Sequence, residues 1–163
     1  MGSTDTGIRT GAFFGPWDGY NFVTIALRAL ASGRRFRAAG DAFISPTYVP
    51  DLVHATLDLL IDDEGGIWHL ANAGALTWAD FARSAAEAAG LDASLVEECS
   101  TPSLNLPAPR PAYSVLTSER GSLLPSLDDA LARYLRDCEA RRMRDARDEK
   151  SDVGPRAWAA TNS

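Results

Sequence analysis

The spacing of apolar side chains changes along the chain between a period of two and a helical period, and the changes mark out its elements. "IRTGAFF", residues 8–14, is a short β-rich run ended by Gly15-Pro16. "NFVTIALRALASG" then sets Phe22, Ile25, Ala26 and Leu30 at helical spacing and closes on Gly33, so the pattern reads strand, loop, helix. "RFRAAG" predicts a brief strand. Pro46 breaks the path, and Pro50 stands where a first helical turn tolerates it, opening "PDLVHATLDLLI" with Leu52, Val53, Leu57 and Leu60 on one face. The acidic turn of residues 62–66 ends that helix. "GIWHLAN" predicts a compact strand, and "TWADFARSAAEAAG" a helix with Thr77 and Asp80 at capping-box spacing and Gly90 as its stop. "LVEEC" predicts a further strand, the proline-rich segment 102–111 an extended connection, and Ser126 with Asp129 caps a last helix running to Lys150. Residues 1–150 thus read as one domain, and residues 151–163 as a disordered tail despite Trp158. No internal repeat is visible.

Composition narrows the function classes. With 163 residues and 45% hydrophobic side chains, the chain suffices for one ordinary domain. Acidic residues outnumber basic ones 22 to 16, the net charge is -6, and no Lys/Arg cluster stands apart from neighbouring acids, which argues against a nucleic-acid partner. Cys99 and Cys138 have neither CxxC spacing nor a supporting set of histidines, so no disulfide framework or zinc site is signalled and a reducing cytoplasm fits. His54 and His69 lie inside apolar patterns and read as structural. The opening "MGSTDTG" has no signal-peptide core, its match to a myristoylation pattern at Gly2 and Thr6 is read as chance, and "FVTIALRALA" is broken by Arg28 and too short to span a bilayer. No membrane partner is expected.

Taken in order, "RTGAFFG", "YNFV", "GDAFISPTYVPDLVHATLDLL", "GIWHLAN", "TWADFA" and "PAPRPAYSVL", followed by an amphipathic helix, resemble the C-terminal half of dTDP-4-dehydrorhamnose reductases of the extended short-chain dehydrogenase/reductase superfamily. The resemblance covers about residues 8–137. It implies an α/β fold: part of a Rossmann-type parallel sheet, in which "IRTGAFF" and "GIWHLAN" are neighbours, with a small substrate-binding subdomain. The complete family enzyme carries NADP on a cofactor-binding half that this chain is expected to lack. No GxGxxG or GxxGxxG turn occurs, and the glycines at 7, 11, 15 and 19 surround a strand and its exit loop. The family's tyrosine proton donor needs a lysine four residues on, but Lys150 is the only lysine and Ala146 precedes it by four. No catalytic or cofactor-binding residue is therefore assigned.

The substrate side retains more. Within the resemblance, Arg110 lies on the loop that reaches over a nucleotide sugar, and its flanking prolines reduce the entropy lost in presenting a guanidinium fork to a diphosphate. Asn21 stands at the head of a helix, as both an N-cap and an anion-site candidate. Phe43, Ser45, Pro46 and Thr47 match the loop lining the family's substrate pocket, although Ala42 and Ile44 replace its usual glutamine and glycine. Trp17, in the loop after the first strand, is the remaining candidate to line the same cleft. Two functions follow. The chain is the substrate-binding portion of a deoxysugar-nucleotide reductase, taking a dTDP-sugar and needing a separate Rossmann half, or a non-catalytic nucleotide-binding or regulatory module of the same superfamily. An unpaired edge on "IRTGAFF" favours a Rossmann-half partner or self-association.

Overall fold

The computed structural model describes residues 5–121 and 123–152. The expected tail lies outside these from residue 153 onward, as does Gly2, while the last helix reaches Asp152. The expected run Ile8–Phe14 is two strands, β1 (Thr6–Arg9) and β2 (Phe13–Phe14). Between them Ala12 takes a left-handed φ of 48°, which turns the chain just ahead of the second strand. Helix α1 (Phe22–Ala31) follows, then β3 (Phe36–Ala39), β4 (Phe43–Ile44), β5 (Thr47–Tyr48) and α2 (Val49–Ile61). The second half comprises β6 (Gly66–His69), β7 (Leu76–Thr77), α3 (Trp78–Ala88), β8 (Val96–Cys99), β9 (Tyr113–Ser114) and α4 (Leu127–Asp152).

Strands β1 and β6 pair in parallel with Ile8 opposite Trp68, as the resemblance implies. The rest of the β-structure is divided among small units: β2 with β5 and β3 with β8, both parallel, and a three-stranded β7-β4-β9 sheet, antiparallel between β4 and β7 and parallel between β4 and β9. The fold class is therefore α/β with small parallel sheets.

Local chemistry sets the helix ends. Thr77 accepts from the Asp80 N–H at 3.0 Å and donates to its carboxylate at 2.8 Å, so the capping box forms. Those hydrogen bonds, from Thr77 first, together with Arg83, outweigh burial and hold the Asp80 carboxyl below its ordinary range. Gly33 and Gly90 take positive φ values of 71° and 67°, where a side chain would be strained, and terminate α1 and α3. α3 turns Ala79, Ala82, Ala85 and Ala86 inward, and these short side chains let α1 lie close against it. Phe14 is the hub of the main core, with the rings of Tyr48, Phe81 and Tyr134 centred 5.2, 5.4 and 5.6 Å away.

Three expectations need correction. α1 buries Val23, Ala26, Ala29 and Leu30, leaving Ile25 on its exposed side. α2 buries Asp51, Ala55 and Leu59, so of the expected face only Leu52 packs partly against the core, while Val53, Leu57 and Leu60 point away from it. The proline-rich segment is not extended throughout: it opens with a 3-10 turn, Thr101–Leu104, closed by Asn105 at a left-handed φ of 49°. His54 is exposed on α2, whereas His69 lies partly buried with Nδ1 2.7 Å from the Thr117 carbonyl. Among the described residues there is no cluster of metal ligands, and no helix is long and apolar enough to cross a membrane.

Candidate functional site

Strand β4 is the centre of the site because two distant segments, residues 74–77 and 112–116, meet on it. The Phe43 N–H donates to the Ala112 carbonyl at 2.8 Å, and Ser114 Oγ donates to the Phe43 carbonyl at 3.2 Å. Just beyond β4, buried Ser45 accepts from the Leu116 N–H at 3.1 Å and donates to the Gly74 carbonyl at 3.2 Å. One short strand and one serine thus fix the chain that follows the proline-rich loop. Phe43 and Tyr113, paired across β4 and β9, present two largely exposed rings 6.1 Å apart.

Arg110 extends from the loop just ahead of this anchored stretch. It helps line a groove of about 500 Å³ with Asp41, Thr101, Asn105 and Leu106. Within the lining, the Asp41 carboxylate accepts from the Thr101 N–H at 2.8 Å and from its hydroxyl at 2.6 Å. Those hydrogen bonds hold the Asp41 carboxyl below its ordinary range. No hydrogen bond or ion pair within the described residues engages the Arg110 guanidinium. A planar fork with its donors uncommitted suits a ligand that carries phosphate oxygens.

The other candidates lie elsewhere. Asn21 is 6% exposed and its amide is committed: Oδ1 accepts from the Thr24 N–H at 3.0 Å, and Nδ2 donates to the Gly15 and Asp18 carbonyls at 3.0 and 2.6 Å. It caps α1 and fastens the preceding loop. Thr47 is fully buried, its hydroxyl accepting from Thr10 at 3.2 Å. Trp17 lines a different groove, between α1 and α4. Ala42 and Ile44 are both buried, so the loop offers no side-chain amide at either position. The site therefore gathers Phe43 and Arg110, and adds Tyr113 and Asp41, which the sequence analysis did not single out. For Tyr113, the signal was an aromatic residue three positions after a proline-framed arginine.

At the loop before α1, a Cβ on Gly15 would meet Val49 and one on Gly19 would meet Arg28, so neither glycine leaves the backbone bare in the way of a glycine-rich dinucleotide turn. Tyr48 and Tyr134 are buried, and burial above all raises both hydroxyls, with Tyr134 pushed up to about 12.

A family profile described as the RmlD substrate binding domain matches residues 3–137. The chain is 39% identical over 116 residues to a dTDP-4-dehydrorhamnose reductase of Mycolicibacterium smegmatis, covering 71% of this chain and 36% of that protein. It is 34% identical over 134 residues to the spore coat polysaccharide biosynthesis protein SpsK of Bacillus subtilis, covering 80% and 46%. Among solved structures, a dTDP-4-dehydrorhamnose reductase from Bacillus anthracis in complex with NADP superposes with a TM-score of 0.74 at 28% identity, covering 81% of this chain and 48% of that one. A dTDP-glucose 4,6-dehydratase from the same organism, at 11% identity and a TM-score of 0.66, shares the fold. The chain spans less than half the length of these relatives. It belongs to the RmlD substrate binding domain family, whose match spans most of its length.

Proposed function

We propose that residues 1–150 form the substrate-binding portion of a cytoplasmic dTDP-4-dehydrorhamnose reductase-type enzyme, which grips a dTDP-sugar through Arg110 and the Phe43–Tyr113 pair. The observation that carries this is the uncommitted Arg110 guanidinium, on a loop whose exit is bonded to β4, the strand that also bears the exposed Phe43–Tyr113 pair. The guanidinium forks the diphosphate, and the rings cover the base or the deoxysugar. Asn21 and Thr47 serve by holding α1 and the β2–β5 pair in place. Reduction requires a separate NADP-carrying half. That half would cover the free edge of β1 and the bare face of α2, and in its absence copies of this chain associate through the same surfaces.

Calorimetric titration of the chain with dTDP tests the grip. Arg110→Ala should weaken binding by about 1.5 to 3 kcal/mol, the range for hydrogen bonds to a charged group. Arg136→Ala, exposed on α4, should leave it unchanged. Equal affinity for the wild-type and Arg110→Ala chains would reduce Arg110 to a connector. NADPH consumption with a dTDP-4-keto-6-deoxysugar should be absent for this chain and appear once a cofactor-binding half is added. Its continued absence would favour the non-catalytic module.

A further inference from the structure

Beyond residue 137, where the family match ends, α4 continues through Asp152. Its added turns build something. Cys138, Arg141, Arg142 and Asp145 form one wall of a groove of about 470 Å³. The facing wall is the Pro16–Gly19 loop with Arg28, and Leu27, Ala31 and Leu91 supply apolar surface. This groove is distinct from the one that Arg110 lines.

Three features give it a ligand chemistry. First, three guanidiniums meet two carboxylates there, a local positive excess in a chain of net charge -6. The Asp18 carboxylate already accepts from the Tyr20 N–H at 2.8 Å, and Asp145 pairs with Arg141 at 3.8 Å. Second, two of the guanidiniums are positioned by backbone carbonyls, leaving other N–H donors for a guest: Arg28 donates to Gly19 at 3.1 Å and Arg141 to Pro16 at 3.2 Å. Arg142 makes no hydrogen bond or ion pair among the described residues. Third, Trp17 is 63% exposed on the rim, a large ring face uncovered beside cations. Deeper in, the Thr24 and Tyr134 hydroxyls bond each other at 2.6 Å and add no charge.

We propose that this groove is a nucleotide site, in which Trp17 stacks on the base while Arg28, Arg141 and Arg142 take the phosphates. A guanidinium offers phosphate oxygens paired donors, and an indole face suits any planar base. The site is separate from the proposed dTDP-sugar grip and stands whether or not that reading holds.

The test titrates ADP, and separately inorganic pyrophosphate, into the full chain carrying Arg110→Ala, so that the proline-loop groove is disabled. Circular dichroism verifies folding of each variant. ADP should bind, and Arg142→Ala should weaken both probes at least tenfold. Trp17→Ala should weaken ADP several-fold and spare pyrophosphate, while Trp17→Phe should retain most of the ADP affinity. Four results would overturn the proposal: no ADP binding at millimolar concentration, binding indifferent to Arg142→Ala, Trp17→Ala weakening both probes alike, or a Glu-rich peptide displacing ADP at lower concentration than ADP binds.

Discussion

Asp51, in the first turn of α2, carries a buried charge answered from the far end of the chain. Its oxygens accept from Arg133 on α4 at 2.5 and 2.8 Å, and Asn72 Nδ2 adds a third bond at 2.8 Å. The Arg133 guanidinium also lies 5.2 Å from the Tyr48 ring centre. Burial works to raise the Asp51 pKa, but the hydrogen bonds from Arg133 and Asn72 and the nearby positive charge outweigh it, leaving the carboxyl below its ordinary value. A carboxyl depressed by folding adds stability that is complete above its unfolded value, about 3.9, and is lost as pH falls through the lower folded value. The urea midpoint should therefore drop as pH falls below about 4, with a smaller drop in Asp51→Asn. Arg133→Ala should cost about 3 kcal/mol, because it strands a buried carboxylate. A pH-independent midpoint in the unsubstituted chain would contradict this account. The sequence reveals Asp51 as an acid suited to a helix start, but not its partner, since nothing local ties two positions 82 residues apart.

At the scale of the element, α2 shows what periodicity does and does not decide. The spacing of Val53, Leu57 and Leu60 identifies a stripe, which is present, joined by Ile61. Its direction depends on the layer beneath, and there Ala55 and Leu59 pack with Trp68, Leu70 and Leu124 while the stripe faces out. Ile67 on neighbouring β6 is likewise exposed. Apolar residues on both sides of a helix suit an element lying between two layers, of which the described residues supply one. Replacing Leu57 and Leu60 together by Glu should preserve the melting temperature and shift the sedimentation profile toward monomer. A lower melting temperature with no change in association would place the stripe in the fold itself. The helix ends were more legible than the faces, because Asn21, Thr77, Gly33 and Gly90 act on their own backbone and need no distant partner.

At the scale of the whole molecule, the order of elements and the parallel β1–β6 pair were legible in the sequence, whereas the split into small sheets was not. Two-residue strands such as β4 and β9 carry too little pattern to separate from loop, and long-range partners define them. The setting of Arg110 on a proline-framed loop was legible for the opposite reason: its prolines mark it within a few residues. The groove between α1 and α4 escaped notice because its walls come from opposite ends of the chain, Arg141 reaching Pro16 across 125 positions.

The three-way junction on β4 also orders events in time. Ser114 to Phe43 and Leu116 to Ser45 each close a span of 71 positions, while α1 and α3 close their own turns locally. Contacts of long span form slowly, because the loop entropy is lost before the bond is gained. On dilution from urea, helical circular dichroism should recover first and dTDP binding later, with Ser45→Ala lengthening the interval. Simultaneous recovery in stopped-flow traces would show that the proline loop is in place before the helices lock. A newly made chain would then pass through a stage that is already helical yet cannot hold its ligand, and nucleotide sugar supplied during that stage would capture chains as the junction closes, drawing them toward the finished state.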